Sequence, residues 1–331
     1  MKSLSIFSAT LLLAVLLQNA TAQNIARATT DGNVALSGEL LEAKRLAEAL
    51  HASADKVNSE VWIGTMYNEF DLARHTCYAL GMLLGLGESV RHLRFDRNPP
   101  LTAHDSDQAQ DLRINAQSLY NFERATSFSL KMSPAKRRIA WNLDCAQQHG
   151  ISAARFPHTG AATFYELTNE GRGIRILGAI EKGFTTKLSA ILKKNPDAEF
   201  VALGSGGGSV EEALAAGRLI RSKELSTTIW NNCYSACPLV FLGGVKRHIH
   251  SPYPSLGFHQ FYTSTGAVAP NAPIYAQVTK YIQEMGVDSL FVYTAILRAT
   301  PAEMNMINGT DARLCQTRIA TWIQRVCEAK H

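Results

Sequence analysis

The spacing of apolar and polar residues divides the chain into two parts of different character. From residue 23 to 155, apolar residues recur three and four positions apart, as they do between Leu40 and Leu50. This period predicts amphipathic helices. Three more helices are predicted on the same grounds: 72–86, 112–128 and one that begins at Pro134. We therefore predict a mostly helical N-terminal region, whose role the pattern does not reveal.

One stretch of that region is distinctive in composition. Trp141-Asn142-Leu143-Asp144-Cys145 combines a tryptophan with a cysteine near the end of the helix that begins at Pro134. A tryptophan at helical spacing most often belongs to a core. We interpret the stretch as structural and not catalytic.

From residue 156 onward, short apolar runs alternate with amphipathic segments. Strands are predicted at 163–167, 174–177, 200–203 and 227–230, and helices at 184–192 and 210–220. The apolar run 239–242 fits either a helix or a strand. Strands that alternate with helices indicate an α/β layered domain, which we assign to residues 156–331.

The first 22 residues have the pattern of a cleaved signal peptide. Lys2 gives a short positive start, an apolar run follows from Leu4 to Leu17, and Ala20-Thr21-Ala22 offers small residues for cleavage before Gln23. The run is short for a membrane span, and no later run approaches 18 apolar residues. We expect residues 1–22 to be removed on export.

Composition excludes several classes of protein. Only 18% of the residues are charged and 46% are hydrophobic, which is not the composition of a disordered chain. The formal net charge of +5 is spread thinly, without a block of like charges, so a nucleic-acid-binding arm is not supported. The six cysteines, in an exported protein, favour disulfides, although six cysteines allow 15 pairings.

A glycine-rich segment follows one predicted strand and precedes a predicted helix. This glycine turn, Gly204-Ser205-Gly206-Gly207-Gly208-Ser209, can present bare backbone N–H groups near a helix N-terminus, where an anion is favoured. Ser209 and Glu212 have the spacing of a capping box. A dinucleotide-binding motif would have glycine in place of Ser209, and a phosphate-binding loop would continue with Gly-Lys-Ser or Gly-Lys-Thr. This segment has neither feature, so both kinds of site are disfavoured. An oxyanion hole and a purely structural turn remain.

A second segment carries a candidate nucleophile. The nucleophile turn, residues 232–238 (Asn-Cys-Tyr-Ser-Ala-Cys-Pro), lies between a predicted strand and the apolar run 239–242, and it can expose Ser235. A serine needs a base within reach, and His259 ends another short apolar run 24 residues further along. Each residue alone would more often be a helix cap or a core histidine. Their order after the glycine turn favours a nucleophile and its base.

These segments together resemble the Clp protease proteolytic subunit of the Clp/crotonase superfamily, in particular its exported periplasmic members. The resemblance covers roughly residues 163–321. It rests on Ala202–Val210, on the cysteine-flanked Cys233-Tyr234-Ser235-Ala236-Cys237, and on Gly257-Phe258-His259-Gln260. Gly204 and Gly206 stand where the family has Asn and Pro. The resemblance implies a Clp/crotonase-like layered βαβ domain after the helical region.

The resemblance also implies roles for individual residues. Ser235 would be the nucleophile, His259 the general base, and the N–H groups of Gly207 and Ala236 the oxyanion hole. Glu303 falls where the family places its acid, but Ala302 stands where periplasmic relatives often carry Asp. Asp288 and Asp311 remain alternatives for the acid.

The implied function is an exported, ATP-independent serine hydrolase of the periplasm, acting as a peptidase on a peptide or protein. No cofactor and no ATPase partner are expected. Proteins with related folds assemble into rings, but this sequence does not determine an oligomeric state. The alternatives are a non-catalytic binding or scaffold protein and a Ser–Lys peptidase that uses Lys246 or Lys280. A metal site is disfavoured because His248, His250, Cys233 and Cys237 make no compact quartet. Disulfides between Cys233 and Cys237 and between Cys315 and Cys327 are two hypotheses, with inert thiols as the alternative.

Overall fold

The computed structural model describes residues 6–60, 69–96, 105–146, 163–168, 170–250, 254–324 and 326–327. By its internal contacts the chain divides into two compact units. The first contains Met1–Trp141 and Gln147–Ala154, and the second contains Asn142–Ala146 and Arg155–His331. The architecture is mixed α/β, with a helical N-terminal region and a mostly parallel sheet in the second unit.

The first unit is built from helices, as the sequence predicts. They are α1 (Ile6–Val57), α2 (Glu69–Leu83), α3 (Gly87–Val90), α4 (Asp105–Lys131) and α5 (Pro134–Asp144), whose last residues count with the second unit. Helices α1 and α4 pack closely because both bury alanines, among them Ala43, Ala47 and Ala116. Within the described ranges, no helix is both long enough and apolar enough to cross a membrane.

The second unit alternates strands and helices. Its strands are β1 (Phe164–Leu167), β2 (Gly173–Leu177), β3 (Phe200–Ser205), β4 (Ser226–Tyr234), β5 (Arg247–Ile249), β6 (Leu256–Phe258), β7 (Tyr262–Thr263), β8 (Gly266–Ala267), β9 (Asn305–Ile307) and β10 (Trp322–Ile323). Its helices are α6 (Phe184–Lys194), α7 (Val210–Ser222), α8 (Cys237–Leu242), α9 (Pro273–Glu284), α10 (Ser289–Leu297) and α11 (Arg313–Gln316). The run 239–242, open between helix and strand in the sequence, is helical.

The main sheet has the order β1-β2-β3-β4-β5-β10, with β6 beside the far end of β4 and β9 on the other side of β6. Strands β2, β3 and β4 run parallel, and β4 pairs in parallel with β5 near its start and with β6 near its end. Strands β1 and β9 are antiparallel additions. The aliphatic side chains of β2, β3 and β4 join those of α6, α7 and α8 in one buried cluster.

Strand β4 carries two extra residues opposite β3. Leu203 pairs with Ile229, but two residues later Ser205 pairs with Cys233, so residues 230–232 form a bulge that we call the β4 bulge. A side chain at Gly204 would place its Cβ only 2.7 Å from Cβ of Asn231 in this bulge. Glycine at position 204, a departure from the resembled family, therefore fits the bulge.

Both expected disulfides are present. Cys233 and Cys237 are bonded with their Cα atoms 5.2 Å apart, and Cys315 and Cys327 with theirs 6.4 Å apart. Both separations lie within the ordinary range for a disulfide. Cys77 and Cys145 are also disulfide-bonded, so no cysteine in the described part of the chain is free.

Candidate active site

Three parallel strands end at one edge of the sheet, and each end carries a segment singled out by the sequence. The glycine turn follows β3, the nucleophile turn ends β4, and His259 follows β6 directly. Tyr234 pairs with Gly257, and the Ser235 N–H donates to the Gly257 carbonyl oxygen over 2.9 Å. Because carboxyl ends of parallel strands share an edge, segments that are distant in sequence meet there.

The nucleophile turn holds Ser235 in an unusual backbone conformation. Ser235 has a φ of 60°, in the left-handed region that residues other than glycine rarely adopt. Its side chain is half-buried, and α8 begins two residues later at Cys237. Strain of this kind persists where the surrounding structure imposes it, and it concentrates at functional sites. Here the Cys233–Cys237 disulfide brackets the strained residue.

The backbone of Ile180 anchors the glycine turn. The Ser209 N–H donates to the Ile180 carbonyl over 2.7 Å, and the Ile180 N–H donates to the Gly207 carbonyl over 2.9 Å. Gly208, at φ 143°, lies so close that an added Cβ would be 2.2 Å from the Ile180 carbonyl oxygen. The turn therefore has one fixed path past the end of β3.

The predicted capping box is only half formed. The Ser209 hydroxyl accepts from the Glu212 N–H over 3.2 Å, as predicted. The Glu212 carboxylate instead accepts from the N–H groups of Gly183 and Thr185, at 2.7 and 3.0 Å, and these bonds lower its pKa. Glu212 thus ties α7 to the start of α6, because two free N–H groups at the start of that helix offer a better site for its charge.

Gly207 meets the nucleophile turn directly. A Cβ added to Gly207 would lie 2.5 Å from the Ser235 Cβ and 3.0 Å from the Ala236 nitrogen. The structure therefore brings together the serine and both predicted oxyanion-hole residues. The Gly207 N–H, however, donates to the Ser205 Oγ over 3.1 Å. An oxyanion would have to share that N–H with Ser205 or displace its hydroxyl.

His259 is buried beside the end of β6. Burial lowers its pKa, and the nearby Pro301 carbonyl raises it by a smaller amount. Its Nδ1 is buried, and within the described residues it has no hydrogen-bond partner of good geometry. The ring lies 5.7 Å from that of Tyr262. Over the same residues no hydrogen bond joins His259 to the Ser235 hydroxyl, a bond that is often long before substrate binds.

The three candidate acids each have a local structural partner. The Glu303 carboxylate is exposed and accepts from the Thr300 hydroxyl over 3.0 Å. Asp288 caps α10, and Asp311 pairs with Arg313. None of these described contacts reaches His259. The Pro301 carbonyl lies close enough to His259 to raise its pKa.

The lysine alternatives lie elsewhere. The Lys246 carbonyl accepts from the Thr227 N–H over 2.8 Å near the start of β4, whereas Ser235 follows the end of that strand. Lys280 is exposed on α9. Lys246 and Ser235 therefore lie near opposite ends of β4.

The histidines of the rival metal site have other neighbours. His248 and His250 flank Trp322, with ring centroids 5.6 and 5.5 Å away. Cys233 and Cys237 are bonded to each other. Within the described residues, no group of three or more His, Cys, Asp or Glu could hold a metal ion.

Sequence reasoning missed a contribution from the end of α5. The Asp144 Oδ1 accepts from the Asn232 N–H over 3.1 Å, and the Leu143 carbonyl accepts from the Tyr234 hydroxyl over 2.9 Å. Both partners lie within three residues of Ser235. The partners are 88 and 91 residues apart in sequence, so no local pattern in the chain could have indicated these contacts.

Solved structures include chains that are similar to this one. The crystal structure of the ClpP protease catalytic domain from Plasmodium falciparum is similar over 49% of this chain and 88% of its own, with 18% sequence identity and a TM-score of 0.36. No family model and no curated protein sequence matches the chain.

Proposed function

We propose that this chain is an exported serine hydrolase, a peptidase with a Clp/crotonase-like domain. Ser235 is its nucleophile, His259 its base, and Gly207 and Ala236 supply the oxyanion-hole N–H groups. One observation carries the proposal: a serine in a left-handed turn lies against a glycine of the adjacent turn, with the Ala236 nitrogen 3.0 Å from the position of an added Gly207 Cβ. Such a glycine is needed where two backbones approach this closely.

The reaction follows from these roles. The Ser235 Oγ attacks a peptide carbonyl carbon while His259 takes the hydroxyl proton, and the resulting oxyanion is stabilised by backbone N–H groups. Collapse of this intermediate breaks the C–N bond, and the amine leaves with the proton from His259. Water, deprotonated by His259, then attacks the acyl-enzyme, and the peptide acid is released with the proton returned to Ser235.

The compartment sets the remaining features of the proposal. The signal-peptide pattern of residues 1–22 supports export to the periplasm, and the disulfides accord with an oxidising environment. ATP is absent there, so hydrolysis proceeds without an ATPase partner. The substrate is a peptide or an unfolded protein segment that can reach the sheet edge.

A fluorophosphonate probe tests the proposal. We expect the purified, oxidised full chain to form a covalent adduct, because the activated Ser235 hydroxyl attacks phosphorus and displaces fluoride. Mass spectrometry of proteolytic fragments should place the adduct on Ser235. Ser205 and Ser209, in the adjacent glycine turn, are internal controls and should remain unmodified. A folded protein without an adduct on Ser235 would overturn the proposal.

The second candidate is a non-catalytic binding protein that retains this domain. Two observations favour it: the Gly207 N–H is engaged by Ser205, and the Glu303 carboxylate is engaged by Thr300. Under this alternative the probe leaves Ser235 unmodified while the protein still captures peptides. Peptide binding without labelling therefore separates the two candidates.

The pH dependence of labelling tests the role of His259. Burial lowers the pKa of His259 from its ordinary 6.5, so the neutral base persists to a lower pH than a free histidine would allow. We expect the labelling rate to fall on acidification with a midpoint below 6.5. The rate constant measured from about pH 4 to about pH 8 would show this limb. A midpoint above 6.5 would contradict the assignment.

Glu303→Gln is the companion variant for the pH experiment. Because the Glu303 carboxylate bonds to Thr300 and not to His259, the variant should retain both the rate and the midpoint. A lower rate with a shifted midpoint would instead make Glu303 the acid of the triad.

A further inference from the structure

The segment Asn142–Ala146, which contains the last residues of α5 and the two residues after it, contacts the strand that presents Ser235. We call this segment the α5 end. It belongs to the same compact unit as the sheet. We infer that Asp144 is a positioning residue, which sets the placement of Ser235 and His259 through the β4 bulge. The inference rests on the proposed function and adds to it a residue outside the triad and the oxyanion hole.

Asp144 satisfies polar groups that the β4 bulge leaves outside the sheet ladder. Its Oδ1 accepts from the Asn232 N–H over 3.1 Å, and its Oδ2 accepts from the Asn231 side-chain amide. Asp144 is 5% exposed and Asn232 is fully buried. Hydrogen bonds to a buried carboxylate are stronger than neutral ones, so this pair fixes the path of the bulge.

Asn232 links the β4 bulge to β6, the strand that directly precedes His259. Its side-chain Nδ2 donates to the Leu143 carbonyl over 2.9 Å, and its Oδ1 accepts from the Ser255 N–H over 2.7 Å. Ser255 directly precedes β6, which ends beside His259. One buried amide therefore joins the α5 end, β4 and β6.

The α5 end also reaches both turns of the site. The Leu143 carbonyl accepts from the hydroxyl of Tyr234, the neighbour of Ser235, over 2.9 Å. The Leu143 Cδ2 lies 3.8 Å from the position of an added Cβ on Gly206 in the glycine turn. A shift of the α5 end would move the nucleophile relative to its base and its oxyanion donors, and misplacement by about 1 Å can cost about a hundredfold in rate.

An exchange of partners tests the inference in the oxidised full chain. Asp144→Asn keeps the shape but removes the charge, and its single amide oxygen can accept from only one of the two groups, the Asn232 N–H or the Asn231 amide, unless the Asn231 amide turns over. Asn231→Asp alone places two carboxylates, those of residues 144 and 231, opposite each other. The double variant Asp144→Asn/Asn231→Asp restores a donor and an acceptor in the reverse order. Glu199→Gln, which removes a carboxylate from an exposed ion pair before β3, is the matched control.

The readout is fluorophosphonate labelling, separated into probe binding and the bond-forming rate. We expect Asp144→Asn to lower the bond-forming rate by about 10- to 100-fold with little change in probe binding. The double variant should recover to within about threefold of the unmodified protein, and Glu199→Gln should stay within about twofold. An unchanged rate in Asp144→Asn, or an equal loss in the double variant, would overturn the inference.

Amide hydrogen exchange keeps the inference separate from the proposed function. Asp144→Asn should accelerate exchange at the Asn232 and Ser235 N–H groups, and the double variant should reverse this. If the unmodified protein is never labelled, the proposed function fails, and exchange alone decides whether Asp144 holds the turn. Unchanged exchange at both N–H groups would overturn the inference whatever the labelling result.

Discussion

Ser235→Ala is expected to abolish covalent labelling, and His259→Ala is expected to lower its rate by about 10³-fold or more. The serine variant loses the hydroxyl that the proposal assigns to attack on phosphorus. The histidine variant retains that hydroxyl but loses the group that removes its proton. The rate of adduct formation, measured by mass spectrometry over time, would show complete loss in the first variant and a residual rate in the second.

Ser235→Ala should leave the fold intact. The Ser235 side chain is half-buried, and no described contact makes its hydroxyl a structural hydrogen-bond donor. His248→Ala is the matched control, because His248 also has a pKa lowered by burial but lies on β5 beside Trp322. Retained labelling in His259→Ala together with loss in a lysine variant would replace the Ser–His assignment with a Ser–Lys pair.

Gly207→Ala should disrupt the site and the fold together. The added Cβ would lie 2.5 Å from the Ser235 Cβ and 2.9 Å from the Tyr234 carbonyl oxygen, where backbone cannot yield. Gly207 also has a φ of 96°, which alanine rarely adopts. Overpacking and backbone strain together predict a loss of about 2–5 kcal/mol in the free energy of unfolding. Labelling should fall by at least about 10²-fold because the oxyanion donors separate from Ser235.

Gly206→Ala is the neighbouring control for this prediction. Among the described residues, a Cβ at Gly206 would meet only the Leu143 Cδ2, at an ordinary 3.8 Å. Urea unfolding should therefore give nearly unchanged stability, and labelling should stay within about threefold of the unmodified chain. If both glycine variants behaved alike, the close approach of Gly207 to Ser235 would not be what the site requires.

The parts that the sequence predicted are those with a local signature. The strand before the glycine turn, the helix after it and the helix that begins at Pro134 all follow from periodicity over a few residues. The two disulfides were expected from their position and from export, and both are present. The meeting of Gly207, Ser235 and Ala236 depends on parallel strands that end together, which an alternation of strands and helices already suggests.

The parts that escaped prediction depend on contacts across long stretches of chain. Asp144 contacts the β4 bulge over 88 residues, and the stretch around it has no period or motif that indicates such a role. The bulge is defined only by the pairing of β4 with β3, so the sequence of β4 alone does not reveal it. Glu303 was predicted as the acid from its position within the resemblance. Its carboxylate instead accepts a hydrogen bond from the Thr300 hydroxyl three residues away, a local contact that matching motifs does not reveal.

The Cys233–Cys237 bridge has a consequence for how the site is made. It closes a ring of five residues with Ser235 at its middle, and this ring persists when the rest of the chain is unfolded without reduction. The unfolded chain therefore keeps the serine and its flanking N–H groups confined to a few conformations. Refolding of the oxidised chain therefore has fewer turn conformations to search than refolding of the reduced chain.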